Sequence, residues 1–228
     1  MERTLKRGST GAIGRLKNSN FAQAWLILVL ALIFGAALAA VQVNLSGIIA
    51  ANKLNETFAR VPELVFGAAA AAGMSSPNAS VDITPGTVTV KKDLKTAYYN
   101  LFRVAREGKL AGWVVKAGGQ GYADKIEIII GLDPGADTIT GLFVLQQKET
   151  PGLGNKITFA RWRNQFIRKK TSTPLVVTKG KSQAPNAIDA VTGATISSRS
   201  VTGIVNRTIR DVKGRLTPAT IRFYERQL

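Results

Sequence analysis

The sequence contains neither cysteine nor histidine among its 228 residues. Their absence excludes disulfide bonds, metal sites built on thiolate or imidazole ligands, iron–sulfur clusters, cysteine nucleophiles and a Ser-His-Asp relay. A metal site made of carboxylates alone stays open, but the sequence predicts neither a catalytic residue nor a metal ligand. Lack of cysteine suits an oxidising compartment, although a cytosolic chain can also lack it.

Acidic residues are scarce as well: 14 Asp and Glu stand against 31 Lys and Arg, which gives a net charge of +17. Nucleic acid, anionic lipid and acidic proteins are the partners that such a charge favours. Five of the basic residues and one of the acidic residues lie within residues 1–20, so the rest of the chain still carries +13. The location of that larger part therefore decides among these partners.

Residues 21–43 contain no charged side chain. As a helix, roughly 22 residues at 1.5 Å each span about 33 Å, enough for the hydrocarbon core of a bilayer. We therefore predict a transmembrane helix over residues 21–43 after a basic cytoplasmic tail over residues 1–20. The alternative is a cleaved signal peptide, because Ala37-Leu38-Ala39 fits the small-x-small cleavage pattern. The length of the charge-free run favours a retained anchor.

Basic residues before the span predict a cytoplasmic N-terminus, with the remainder on the periplasmic or extracytoplasmic side of the cell (inner) membrane. That side argues against nucleic acid and favours outer-leaflet lipid or acidic surfaces of partner subunits. Residues 44–80 predict a juxtamembrane helix that ends before Pro62, followed by a linker.

Residues 81–228 are predicted to form one α+β domain, an antiparallel-rich sheet packed by helices. Residues 81–92 have strand composition around a Pro-Gly turn. Residues 125–132 and 138–147 predict an antiparallel hairpin, because Asp-Pro-Gly separates two apolar runs. Residues 175–179 predict a further short strand.

Two helices are predicted within this domain. Residues 155–170 place Phe159, Trp162 and Phe166 on one face, among basic residues that predict a solvated surface and, secondarily, a docking patch. The last helix is predicted to begin near Ser198 and to pack on the sheet. Its apolar face consists of Val201, Ile204, Val205, Thr208, Ile209 and Val212.

The segment DAVTGATISS, residues 189–198, precedes this last helix. Gly193 and Ala194, which are small, separate the hydroxyls of Thr192 and Thr195. Close backbone approach and the N-terminus of a helix suit the binding of a phosphate group. A threonine that serves as an ordinary helix cap explains the same pattern.

The segment KETPGLGNK, residues 148–156, contains the one carboxylate in a loop suited to a ligand, Glu149. Pro151 fixes one backbone dihedral, while Gly152 and Gly154 leave theirs free, so the loop can lie flat against a planar group. The alternative interpretation is a plain strand-to-helix turn capped by Asn155.

Together, KETPGLGNKI and DAVTGATISS resemble the FMN-binding domain of the G subunit of the Rnf complex, an ion-pumping ferredoxin:NAD oxidoreductase. GYADKI, residues 121–126, resembles the Gly-Tyr segment of the same family. The C subunit of the sodium-translocating NADH:quinone reductase is a relative of that family.

In that family a flavin transferase joins FMN through its phosphate to the last threonine of a Ser/Thr-Gly-Ala-Thr motif. The resemblance implies a phosphoester to Thr195, so that the chain is a covalent flavoprotein and a phosphoprotein. Asp189 then matches the upstream recognition residue, and Thr192 and Ser197 supply hydroxyls near the phosphate. The remaining implied contacts of the cofactor are Gly193, Ala194, Glu149, Thr150, Gly152, Leu153 and Gly154, with Glu149 or Thr150 at the polar edge of the ring.

The resemblance implies an electron-transport subunit of an ion-translocating membrane complex, a translocase, without substrate turnover of its own. Its expected partners are the other membrane subunits, the flavin transferase and the lipid bilayer. Three alternatives stay open: the equivalent subunit of the quinone reductase, a membrane-anchored flavin sensor or assembly module, and an anchored scaffold without a cofactor.

Overall fold

The computed structural model describes residues 20–73, 81–92, 95–217 and 219–223. Residues 1–19 of the predicted tail and residues 74–80 of the predicted linker lie outside the described residues. The chain divides into two compact units after Asn52, and the second unit begins at Lys53.

The first helix, α1, comprises Asn20–Phe66, 47 residues. It is the one helix in the described part of the chain that is long and apolar enough to cross a membrane. The predicted span lies within its first half, where large apolar side chains such as Trp25, Leu32 and Phe34 are exposed on the protein. Exposed apolar side chains of this kind are what a hydrocarbon core covers.

The prediction that the helix ends before Pro62 is wrong, because α1 continues to Phe66. Proline inside a helix costs roughly 3 kcal/mol. Phe58, Val61 and Leu64 are buried, and each buried side chain of this size contributes roughly 1.5–3 kcal/mol, which outweighs that cost. They pack on one face of the sheet against Phe102, Val104, Val114 and Ile129. The unit that contains the sheet therefore includes residues 53–66.

A short helix, α2 (Ala68–Gly73), follows α1. The main sheet has six strands in the order β5-β4-β3-β2-β1-β8, and every neighbouring pair is antiparallel. A second, parallel pair joins β6 and β7. The strands are β1 (Val81–Lys92), β2 (Lys95–Arg106), β3 (Lys109–Gln120), β4 (Lys125–Leu132), β5 (Ile139–Gln146), β6 (Val176–Thr178), β7 (Ala187–Asp189) and β8 (Ile221–Phe223). The predicted α+β class, the β4–β5 hairpin and the strand near residue 175 are confirmed.

The predicted Pro-Gly turn within residues 81–92 is wrong, because β1 runs straight through Pro85 and Gly86. Pro85 pairs with Phe102 of β2 and lies just beyond the described β1–β8 pairs, which begin at Gly86. Proline is tolerated in a strand where no neighbour requires its missing N–H. A Cβ atom at Gly86 would lie 2.8 Å from Ile221 Cγ2, so glycine lets β8 approach.

The continuous helix predicted over residues 155–170 is interrupted in the structure. Two 3-10 turns, Gly154–Thr158 and Asn164–Phe166, flank a single α-helical turn, α3 (Ala160–Arg163). Phe159 has an extended backbone, with φ −71° and ψ 135°, and this breaks the helix. Trp162 and Phe166 are buried as the stripe predicts, whereas Phe159 is 55% exposed.

The last helix, α4, comprises Thr195–Val212, so it begins three residues before the predicted start. Its predicted apolar face is buried against the sheet, as expected. Strand side chains alternate between faces, so α4 covers the face opposite to that covered by residues 53–66. On the α4 side, Tyr99 of β2 donates a hydrogen bond to Asp211 Oδ2 at 2.6 Å.

Burial, together with this bond to Asp211, raises the pKa of Tyr99 to about 12. Because this pKa lies above the ordinary 10.0, the neutral phenol stabilises the fold fully below pH 10.0 and that contribution disappears as the pH rises to about 12. We expect one of the four tyrosines to titrate near pH 12 in an absorbance titration of phenolate. Tyr99→Phe should remove that step and Tyr98→Phe should keep it. Titration of every tyrosine near pH 10 would contradict the Tyr99–Asp211 bond.

Candidate functional site

A cavity of about 560 Å³ lies between the loop after β5 and the first turn of α4. This volume is in the range of small-molecule and cofactor sites. We call it the α4 cavity. Its lining residues are Tyr122, Thr150, Leu153, Gly154, Gly193, Ala194, Thr195, Ile196 and Ser197.

Thr195 is the first residue of α4 and is partly buried. The first helical hydrogen bond runs from Ser198 N to Ala194 O at 3.1 Å, so the N–H groups of Thr195, Ile196 and Ser197 precede the helical ladder. These groups and the positive end of the helix dipole stabilise an anion. The helix cap is Ala194, which makes no side-chain capping bond, so neither threonine serves as the cap.

The hydroxyl groups of DAVTGATISS fall into two classes. Ser197 donates its hydroxyl to Glu149 Oε2, and Ser198 accepts from Val191 N and donates to Ala194 O, both at 3.0 Å. Within the described residues, the hydroxyls of Thr192 and Thr195 have no hydrogen-bond partner. Of these two, only Thr195 lines the α4 cavity.

Glu149 is buried, with 4% of its surface exposed, and it is not among the residues that line the cavity. Its Oε2 accepts from the Ser197 hydroxyl and its Oε1 accepts from Ala123 N at 3.1 Å. The carboxyl group therefore joins three segments: the turn between β3 and β4, the loop after β5 and the start of α4. It points to neighbouring protein groups rather than to the open space of the cavity.

Glycines permit this close assembly at two points. A Cβ atom at Gly154 would lie 2.8 Å from Glu149 Cβ and 3.0 Å from Ser197 Oγ. Gly193 has a φ of +79°, and its Cβ would lie 2.9 Å from Leu153 Cδ2. A side chain at either position would separate the loop from the helix start.

An ion pair braces the same loops from outside, because Lys148 Nζ lies 3.2 Å from Asp124 Oδ2. A hydrogen bond from the Lys125 backbone N–H, and secondarily the Lys148 ammonium group, hold the pKa of Asp124 below its ordinary value. Both residues are well exposed, so this pair adds little stability compared with the buried Glu149 bonds.

Asp189 and Thr192 line a second cavity of about 660 Å³ on the other side of the Thr192-Gly193 segment. Asp189 Oδ1 accepts from Thr178 Oγ1 and Ser182 N, both at 3.2 Å. Its backbone carbonyl accepts from Trp162 Nε1 at 2.8 Å. We call this space the basic cavity, after its residues Lys156, Arg161 and Lys181.

The structure thus separates the predicted site residues. Seven of them line the α4 cavity: Thr150, Leu153, Gly154, Gly193, Ala194, Thr195 and Ser197. Gly152, with a φ of +74°, is exposed and lines neither cavity. Asn155 does not cap a helix, and its buried Oδ1 has no partner among the described residues.

Sequence reasoning assigns no role to two residues that line the α4 cavity, Tyr122 and Ile196. Both are more than half exposed. Ile196 is apolar yet lies off the buried stripe of α4, and Tyr122 lies in the turn that leads to Ala123. An apolar side chain off the stripe at a helix start is the available signal for Ile196.

Replacing Glu149 tests its role as a clamp. Glu149→Ala leaves the Ala123 N–H and the Ser197 hydroxyl buried without partners, at a cost of about 1–3 kcal/mol each. Glu149→Gln keeps one oxygen for Ala123 and gives an amide that can donate to Ser197. We expect a clearly lower melting temperature for Glu149→Ala than for Glu149→Gln, measured by tryptophan fluorescence of the full chain in detergent. Equal melting temperatures for both variants and wild type would refute the clamp.

The site residues fall within a segment that matches a known family. Residues 121–210 match the FMN-binding domain model, and this range contains every residue that lines the α4 cavity. In Shewanella oneidensis NqrC, whose crystal structure is known, the same fold occurs: the TM-score is 0.53 at 21% identity, over 70% of this chain and 93% of that one.

Two curated relatives are G subunits. The chain is 39% identical over 105 residues to the G subunit of the Na⁺-translocating ferredoxin:NAD⁺ oxidoreductase complex of Acetobacterium woodii, covering 45% of this chain and 50% of that one. It is 35% identical over 111 residues to the G subunit of the proton-translocating ferredoxin:NAD⁺ oxidoreductase complex of Clostridium ljungdahlii, covering 49% and 58%. The chain spans about half the length of the curated relatives it matches. Residues 121–210 are therefore an FMN-binding domain, and the chain is a relative of the G subunits of ion-translocating ferredoxin:NAD oxidoreductases.

Proposed function

We propose that the chain is an electron-transfer subunit of an Rnf-type, ion-translocating ferredoxin:NAD oxidoreductase, with FMN bound covalently through its phosphate to Thr195. One observation carries the proposal. The unpaired hydroxyl of Thr195 stands at the N-terminus of an 18-residue helix, on the wall of the cavity that Thr150, Leu153 and Gly154 also line. FMN supplies the reversible uptake and release of electrons when it is bound.

Attachment requires Thr195 Oγ1 to form a bond to the flavin phosphorus. The bond that breaks is the phosphorus–oxygen bond to the leaving group of an activated flavin nucleotide, and the hydroxyl proton is released. A flavin transferase is proposed to supply this donor. The N–H groups of the first turn of α4 then face the phosphodiester, and the helix dipole adds roughly 0.3–1 kcal/mol of stabilisation.

The other residues of the α4 cavity position the ring. Leu153, Ile196 and Tyr122 offer partly exposed apolar surface on which a flat aromatic system can pack. The Thr150 hydroxyl is proposed to bond the polar edge of the ring. Glu149 acts on the cofactor indirectly, because it holds the loop, the turn and the helix start in register.

The membrane arrangement follows from α1 and from the charge pattern. We propose that α1 crosses the cell membrane with the basic tail in the cytoplasm and the FMN-binding domain on the outer side. Other subunits of the complex are the proposed electron donors and acceptors, and no substrate turns over on this chain alone. The fold shared with NqrC supports a second candidate, the equivalent subunit of a sodium-translocating NADH:quinone reductase.

Substitutions at the two unpaired threonines test the attachment. The full chain is produced together with a flavin transferase, denatured, and viewed on a gel under ultraviolet light. Wild type and Thr192→Val should fluoresce and should gain the mass of FMN less one water. Thr195→Ala should lose both signals, whereas Thr195→Ser should retain part of them because it keeps a hydroxyl.

Fluorescence that persists in Thr195→Ala would refute attachment at this residue. Loss of fluorescence in Thr192→Val alone would assign the bond to the other threonine. Expression without the transferase is the control for flavin that binds without a covalent bond.

A further inference from the structure

The basic cavity contains three cationic side chains that the fold does not neutralise. Lys156, Arg161 and Lys181 form no ion pair or side-chain hydrogen bond with any described residue. Elsewhere in the second unit, basic side chains do have acidic partners: Lys148 pairs with Asp124, and Lys213 pairs with Asp137 at 2.8 Å. The cavity therefore concentrates unpaired positive charge in one concave place.

One carboxylate lines this cavity, and it is already engaged. Asp189 accepts hydrogen bonds from Thr178 and from the backbone of Ser182, so it holds the loop that presents Lys181. Three cations against this single anion leave a net positive charge. A concave surface with charge of one sign focuses its field on an approaching partner of the opposite sign.

The floor and rim of the cavity resemble a protein interface. Trp162 is buried in the floor and fixed by its bond to the Asp189 carbonyl. Phe159 stands at the rim with 55% of its surface exposed. Arginine and exposed aromatic side chains are enriched where proteins meet, whereas a solvated basic face has no need of an exposed phenylalanine.

The position of the cavity links it to the proposed flavin. Residues 189–192 line the basic cavity, and residues 193–197 line the α4 cavity. A segment seated among the three cations thus touches the residue next to Gly193. Because electron transfer needs the two redox centres close together, a partner docked here stands beside the cofactor.

We infer that the basic cavity is the docking site for an acidic, protruding segment of the protein that exchanges electrons with this domain. A protruding segment fits a concave site, whereas a flat bilayer surface would meet only its rim. The identity of the partner as a redox protein rests on the proposed function, but its acidic character rests on the three cations alone. Docking by charge of this kind speeds encounter and depends on salt.

Binding of a rhodamine-labelled octaglutamate peptide tests the docking site. The full chain is placed in nanodiscs of neutral phosphatidylcholine, and fluorescence anisotropy gives the affinity at several salt concentrations. The cavity variant is Lys156→Glu/Arg161→Glu/Lys181→Glu. The matched control is Lys91→Glu/Lys109→Glu/Arg222→Glu, which changes the net charge equally at exposed residues that line neither cavity.

We expect the cavity variant to bind the peptide about tenfold or more weakly than the control variant and to lose most of the salt dependence. Equal weakening in both variants would overturn the inference, since net charge alone would then explain binding. Loss of wild-type binding in phosphatidylglycerol nanodiscs would also overturn it, because lipid headgroups would then occupy the cavity.

Protein produced without the flavin transferase separates this inference from the proposed function. Flavin-free chain should bind the peptide as tightly as flavin-loaded chain, so failure of flavin attachment leaves this result intact. In membranes that hold the other subunits but lack this chain, the flavin-loaded cavity variant should exchange electrons more slowly than the control variant. Equal rates there would overturn the redox partner as the occupant.

Discussion

The site depends on one buried interaction, the carboxyl group of Glu149 between the Ser197 hydroxyl and the Ala123 N–H. These bonds bring together three segments that are far apart in sequence, and Gly154 leaves the space in which the carboxyl fits. Buried polar groups are costly when unpaired, so the arrangement is stable only when all three segments are in place. The shape of the α4 cavity is therefore a consequence of a bond outside its lining.

This constraint gives the two threonines of the motif different surroundings. Gly193, with its positive φ and its close approach to Leu153, turns the chain between them. Thr192 consequently lines the basic cavity, while Thr195 begins α4 and lines the other one. The two hydroxyls are chemically alike, and only the folded backbone distinguishes them. A cofactor site and a charged surface thus share one short segment.

The sequence predicts those features that depend on local pattern and misses those that depend on tertiary contact. Apolar alternation and a turn predict the β4–β5 hairpin, and the 3.6-residue period predicts the buried face of α4. Pro85 is predicted in a turn because its position beside a short pairing strand is not visible in the sequence. Phe159 interrupts a helix that its spacing supports. The role of Glu149 as a clamp requires its partners, Ser197 and Ala123, which only the fold brings near.

The central claim is that Thr195, rather than any other hydroxyl of the motif, faces the cofactor. Trypsin cleaves after Lys181 and Arg199, so residues 182–199 form one peptide that contains all four candidate hydroxyls. Tandem mass spectrometry of this peptide from flavin-loaded protein locates the modified residue from its fragment masses. The account predicts that fragments beginning at Thr195 carry the flavin phosphate and that fragments ending at Ala194 do not. A flavin phosphate on Thr192, Ser197 or Ser198, or an unmodified peptide from flavin-loaded protein, would contradict it.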